Sequence, residues 1–251
     1  MSDAPPPLPE EPPGPPAPPA REPFWGYSDV LLFAGLSIPC MLLGFVFAKA
    51  LMYVLPLGAP MRAVEVLTAQ LAGYIFLGAT LMLILRVQYR KPFWVSLGWV
   101  EPRVRYTLLA FSGGGTAIVV ALLAHLIGTP TTSNPMLELL KDRASILLVG
   151  IFAVTIGPLF EELAFRGFLQ PLLVRSLGTV PGILAAALPF GVLHYWEYGK
   201  SWRHVLVISL AGAVFGWMRH VTGSTKASTI MHSAYNALFF VALLAQKNAG
   251  V

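Results

Sequence analysis

Charge is scarce in this chain: Asp, Glu, Lys and Arg make up 12% of its 251 residues, about half their share in soluble domains. With 56% hydrophobic residues and a mean hydropathy of +0.68, that scarcity excludes an ordinary soluble domain and points to a polytopic membrane protein. Cysteine is nearly absent as well. The single Cys40 lies inside the first apolar run, so neither an intramolecular disulfide nor a cysteine metal cluster is available. No internal repeat is visible, and the polar residues inside apolar runs crowd into the C-terminal half, which speaks against an inverted-repeat transporter. The net charge of +5 and pI of about 9.5 imply no nucleic-acid partner. The basic residues lie between apolar runs, where membrane topology accounts for them.

Proline, in contrast, is concentrated. Half of the 22 prolines fall within residues 2–23, a composition that neither packs a core nor forms a regular helix. Residues 1–23 therefore read as a disordered tail, followed by N-terminal transmembrane helices over 24–143 and a second helical part over 144–246. Phe24, Trp25 and Tyr27 form an aromatic cluster suited to the headgroup region. Apolar runs then recur at 29–55, 64–85, 106–127, 145–168, 180–196, 205–218 and 227–244. The expected fold is all-α, a transmembrane bundle of about seven spans. The sixth run is short, and Gly212 and Gly216 lie four apart in it, a spacing that lets helices approach closely. Arg86, Arg90, Lys91, Arg103 and Arg105 face only Glu101 in the loop after the second run. That loop is expected to be cytoplasmic, which also places the N-terminus in the cytoplasm of a multi-pass protein of the cell membrane.

Against this apolar background three polar groups stand out. Glu161-Glu162-Leu-Ala-Phe-Arg166 sets two carboxylates and a guanidinium at the end of an apolar run, where charge is costly and its default reading is functional. On a helix, Glu162 and Arg166 share a face as an ion pair and leave Glu161 free. Gly157-Pro158, just before the acids, should bend that helix and open it locally to water. Phe190 and His194 are again four apart, with Pro189 as a further kink, and His232 and Asn236 repeat the spacing on the last run. Three helices would thus converge on one polar pocket. A partly desolvated carboxylate is a competent base toward water, and imidazole and amide donors suit a developing oxyanion. Amide hydrolysis follows as the expected chemistry.

These residues resemble the CAAX prenyl protease and bacteriocin-processing (CPBP, or Abi) family of intramembrane proteases, whose E-E-x-x-x-R, F-x-x-x-H and H-x-x-x-N motifs follow one another on successive helices. Glu161, Glu162 and Arg166 fill the first motif, Phe190 and His194 the second, and His232 and Asn236 the third. The resemblance covers about 145–244. Asn134-Pro135 and Ser96-Leu-Gly-Trp99 are weaker family-like features. The resemblance implies an endopeptidase acting on a peptide or membrane-protein substrate, such as a prenylated C-terminus or a leader peptide, at the lipid bilayer. In it Glu161 is the base assisted by His194, Glu162 and Arg166 hold the geometry, and His232 with Asn236 forms the oxyanion site.

One glutamate and two histidines also form a zinc donor set with an open position, but H-E-x-x-H is missing. The expectation is that no metal is obligatory, with a divalent ion such as zinc as the alternative. The competing readings are interfacial anchoring charges for the first motif, a headgroup-level imidazole beside Trp196 and Tyr198 for the second, and helix-gluing polar residues for the third. The corresponding alternative function is a non-enzymatic bacteriocin self-immunity or membrane scaffold protein. Oligomeric state is not legible from the chain.

Overall fold

The computed structural model describes residues 22–55, 62–130, 139–140 and 142–248. All but the last two residues of the proline-rich tail, and the Asn134-Pro135 feature, lie outside them. The described residues form helices and no strand. Helix α1 (Tyr27–Val54) opens on Gly26, whose N–H donates to Asp29 Oδ2 at 2.9 Å, an acid in the first turn where the helix dipole favours it. Asp29 is buried and also accepts from Gln88 Nε2 at 3.0 Å and Tyr89 Oη at 2.6 Å. One carboxylate thus ties the start of α1 to the end of α2 (Arg62–Gln88), whose last six residues are π-wound. A short α3 (Phe93–Ser96) and α4 (Tyr106–Leu126) follow. The remaining helices are α5 (Arg143–Leu177), α6 (Thr179–Leu193), α7 (Trp202–Thr222) and α8 (Thr225–Asn248).

Six of these helices are long and apolar enough to cross a membrane, and α6 is a shorter apolar helix. The chain is a multi-pass helical bundle. Which span is the short one differs from the expectation. The run at 205–218 belongs to a full 21-residue helix, because Arg203, His204, Arg219 and His220 occupy its end turns and cut the apolar stretch without interrupting the backbone. The run at 180–196 instead stops at Leu193 after 15 residues. Its continuation turns back through Gly199 and Lys200, both at positive φ, a region that opposes helix continuation.

The N-terminal tryptophan also departs from the expectation. Trp25 is 2% exposed, stacks on Phe168 at 5.3 Å and donates its indole N–H to the Phe168 carbonyl at 3.0 Å. It is a core residue of the cluster with Leu85, Phe93, Leu97 and Leu172, since its donor finds a protein partner instead of headgroup water. Lys49 pairs with Glu65 at 2.5 Å, a structural contact between α1 and α2. The loops at 89–105, the end of α5 and the α7–α8 turn gather with the start of α1 at one end of the bundle: Thr225 Oγ1 donates to the Leu97 carbonyl at 2.6 Å, Ser224 Oγ to that of Val100 at 2.5 Å, and Lys226 Nζ pairs with Glu101 at 2.5 Å.

Close helix contact between α1 and α2 depends on Gly44, where a Cβ would fall 2.4 Å from the Ala69 carbonyl oxygen and 2.5 Å from Gly73 N. Backbone cannot yield as a side-chain tip can, so overpacking here should cost about 3 kcal/mol, the upper end of the usual range. Gly44→Leu is expected to lower the thermal unfolding midpoint by several degrees in detergent, while Gly35→Leu, in open space on the same helix, leaves it unchanged.

Candidate active site

Helix α5 supplies the acids, and its winding is irregular around them. Residues Phe152–Ile156 and Leu163–Leu169 are π-helical, each followed within two residues by a proline, Pro158 and Pro171. Proline has no N–H to give and crowds the preceding turn, and a wider turn relieves that conflict. The regular helix is therefore interrupted at Gly157-Pro158 as expected, while Gly157 and Pro158 themselves are buried. At its first occurrence the distortion leaves a specific orphan. Gly157 N–H bonds Phe152 O, and Pro158, the next residue along, has no hydrogen to offer the Ala153 carbonyl. Asn236 Nδ2 on α8 fills that vacancy at 2.8 Å.

Glu162 and Arg166 are fully buried, at 0% and 1% exposure, with Arg166 Nη1 2.9 Å from Glu162 Oε1. Arg166 Nη2 donates to the Gly212 carbonyl at 2.7 Å, and the guanidinium lies 4.4 Å above the Phe190 ring and 5.6 Å from that of Phe215. One turn later Gln170 Nε2 donates to the Gly216 carbonyl at 2.9 Å. Gly212 and Gly216 thus permit close approach for a defined reason: a Cβ would fall 3.0 Å from Arg166 Nη2 at the first and 2.6 Å from Gln170 Oε1 at the second.

His232, 3% exposed, joins this pair. Its Nδ1 lies 3.1 Å from Glu162 Oε1 and its Nε2 3.8 Å from Glu161 Oε2, with the ring stacked on Phe215 at 4.6 Å. A carboxylate only accepts, so Nδ1 carries a proton, and Nε2 donates only when the ring holds both. Glu161, next along the helix, is less enclosed and its Oε1 accepts from Tyr74 Oη at 3.4 Å. Tyr74 on α2 accepts in turn from Gln70 Nε2 at 3.1 Å and stacks between Phe152 and Phe160.

His194 caps the end of α6. Its Nδ1 donates to the Phe190 carbonyl at 2.8 Å, which fixes the proton there and leaves Nε2 as the free acceptor of the neutral ring. Phe190 lies 5.0 Å from His194, 5.8 Å from His232 and beneath Arg166, so one ring spaces all three. No direct bond joins His194 to Glu161 among the described residues. Their surroundings nevertheless meet in the turn after α6: burial holds the Glu197 carboxyl above the usual carboxylate range, with His194 opposing the rise and Glu161 adding to it. Burial also raises the Tyr198 phenol, with Glu197, Tyr235 and Glu161 contributing.

Of the six residues singled out in sequence, Glu161, Glu162, Arg166 and His232 form one contact network. His194 is joined to it through Phe190, and Asn236 lies one helical turn from His232 with its amide on α5. Tyr74 and Gln70 were not anticipated. They stand in an apolar run without a flanking motif, and only the long-range packing of α2 on α5 brings them to Glu161. Among the described residues no three His, Cys, Asp or Glu side chains are grouped to hold a metal ion.

Residues 143–238 match the family model for type II CAAX prenyl endopeptidase Rce1-like proteins. This segment is similar to the CPBP family, to which that model belongs. The match begins at α5 and ends in α8, so it contains every residue of the three motifs and none of α1 to α4. No curated protein and no solved structure matches the chain with significance.

Breaking a buried ion pair costs about 3–5 kcal/mol because it strands a charge, whereas replacing both partners can be near neutral. Glu162→Gln and Arg166→Met are each expected to destabilise by that order in detergent unfolding, and the double variant should recover at least half of the loss.

Proposed function

We propose that this protein is an intramembrane endopeptidase that hydrolyses a peptide bond in a membrane-associated substrate by glutamate- and histidine-activated water. The observation that carries the reading is the asymmetry between neighbouring acids: Glu162 is consumed by Arg166 and His232, while Glu161 keeps a carboxylate oxygen 3.8 Å from His232 Nε2 and is half-buried.

A water between Glu161 and His194 has two acceptors for its two hydrogens, the carboxylate and the free Nε2. Its oxygen lone pair is then left to attack the scissile carbonyl. Glu161 takes one proton as the C–O bond forms and delivers it to the departing amine as the C–N bond breaks, so the carboxylate is regenerated. The carbonyl oxygen gains charge and is stabilised by the second N–H of Asn236, whose first is held by Ala153, and by His232 on the same face of α8. Tyr74, donating to Glu161, orients the base. No metal is required by this sequence of steps, and an amide bond in a prenylated or otherwise lipid-anchored peptide is the substrate class suited to a base within a bilayer.

The chain reconstituted in liposomes should cleave a farnesylated peptide ending in Cys-aliphatic-aliphatic-X, with activity kept in the presence of a chelator. Glu161→Gln and His194→Ala are expected to lose about 10²–10⁴-fold in kcat with unfolding midpoints unchanged. Wild-type activity in either variant would remove the assignment in favour of a scaffold or immunity role. Tyr74→Phe retains both ring stacks, so a fall of about tenfold in kcat at constant KM isolates the phenol's hydrogen bond.

A further inference from the structure

The end of the bundle that carries the basic loop contains an open cavity of about 500 Å³ whose lining includes none of the residues discussed as catalytic. Arg175, Arg219 and His220 line it, with Val95 and Val100 at its apolar side. Arg219 is fixed there. Its Nε donates to Thr225 Oγ1 at 2.8 Å, and that hydroxyl donates onward to the Leu97 carbonyl at 2.6 Å. The guanidinium lies so close over Gly98 that a Cβ there would fall 2.2 Å from Nη2, and Gly98 is at φ +70°, a conformation that favours glycine.

Arg175 reaches the same cavity from the end of α5, held by one nitrogen to the Pro23 carbonyl. Glu22 is the single acid of the lining, and among the described residues neither arginine forms an ion pair with it or with any other carboxylate. The lining thus carries two guanidiniums and one carboxylate, an excess of positive charge that a bound anion offsets. Two features narrow the ligand. The planar forks suit the oxygens of a phosphate. In the same lining Val95 is 63% exposed and Val100 39%, apolar surface that a soluble ion would leave wet and that an acyl chain or glycerol backbone would cover. Basic pockets between transmembrane helices at an interface are suited to anionic lipid head groups.

We propose that this cavity binds the phosphate of an anionic phospholipid, with Arg219 and Arg175 on the phosphate oxygens and Val95 and Val100 against the lipid's apolar part. The site is separate from the Glu161 network, so it stands whether or not the chain cleaves peptides.

The test is native mass spectrometry of the full chain in detergent, titrated with phosphatidylglycerol or with phosphatidylcholine, beside unfolding midpoints measured with each lipid and with sodium phosphate. Phosphatidylglycerol is expected to bind about tenfold more tightly than phosphatidylcholine and to raise the midpoint. Arg175→Gln, at an exposed side chain, should lose most of that preference, and Arg219→Gln the rest. Arg203→Gln, whose guanidinium bonds the Gly128 carbonyl at 2.5 Å away from this cavity, should retain it. Should Arg219→Gln fail to fold, Arg219→Lys preserves the charge without the fork and is expected to keep only part of the preference. Equal binding of the two lipids, or a preference that survives in Arg175→Gln and Arg219→Lys together, overturns the proposal. Stabilisation by sodium phosphate equal to that by phosphatidylglycerol makes the ligand a free phosphate and overturns the lipid assignment.

Discussion

Burial of the Arg166 guanidinium is the constraint around which the C-terminal helices are arranged. Removing one such ion from water costs several kcal/mol even after relaxation, and no single element repays it. Glu162 supplies the counter-charge from the same helix, α7 supplies the Gly212 carbonyl and the Phe215 ring, and α6 supplies Phe190. His232 from α8 then takes up Glu162. Each compensation requires a different helix to come close, which is why α7 carries glycine at the two positions facing Arg166 and Gln170. The consequence for chemistry follows from helix geometry. Successive residues are rotated by about 100°, so committing Glu162 to the buried pair turns Glu161 toward a different side of α5, where it meets the network at His232 Nε2, 3.8 Å away.

The second constraint is backbone bookkeeping in α5. A proline inside a membrane helix leaves acceptors that water cannot reach, and they must be met by protein. The widened turn before Pro158 shifts the Gly157 N–H to Phe152, and the Ala153 carbonyl is met by Asn236. Near Pro171 the Phe168 carbonyl receives the Trp25 indole. Asn236 therefore has a structural duty that does not depend on catalysis. An amide offers two hydrogens, and satisfying Ala153 uses one. The same bond fixes the plane in which the other points, so holding the helix and aiming a donor are one geometric act.

Much of this was legible because it is local. The i,i+4 spacing of Glu162 and Arg166, the small pair Gly212 and Gly216, and Gly157-Pro158 each state a helical relationship within a single turn, and the structure realises the ion pair, the close approach and an irregular winding at the proline. What was not legible is set by residues distant in the chain. Trp25 reads as an interfacial aromatic until Phe168 is brought to it. Hydropathy exchanges the lengths of α6 and α7 because it marks where apolar residues stop, whereas a helix stops where its backbone turns. Arg203 and Arg219 end the apolar run of α7 but not its hydrogen bonds; Gly199 and Lys200 at positive φ mark the reversed turn beyond α6 without any loss of apolar character just before it. Tyr74 escaped for a related reason. A lone tyrosine among apolar neighbours carries no periodic signal, and its meaning comes entirely from Glu161, 87 positions away.

That last contact bears on how the chain divides its labour. The segment with the family match starts at α5, yet the hydroxyl on Glu161 comes from α2, and the ring that bears it is clamped between two α5 phenylalanines. The position of α2 is in turn set by Asp29, which accepts from Gln88 and Tyr89 and caps α1 through Gly26, and by the Gly44 crossing where α1 meets it. A chain of short contacts thus runs from the start of α1 to a carboxylate of α5. An isolated α5 to α8 would keep the buried Glu162–Arg166–His232 network, because every partner of that network lies within it. It would lose the donor on Glu161 and the aromatic wall beside it, leaving that carboxylate open to lipid on the α2 side. The N-terminal helices are therefore part of the site's electrostatic enclosure.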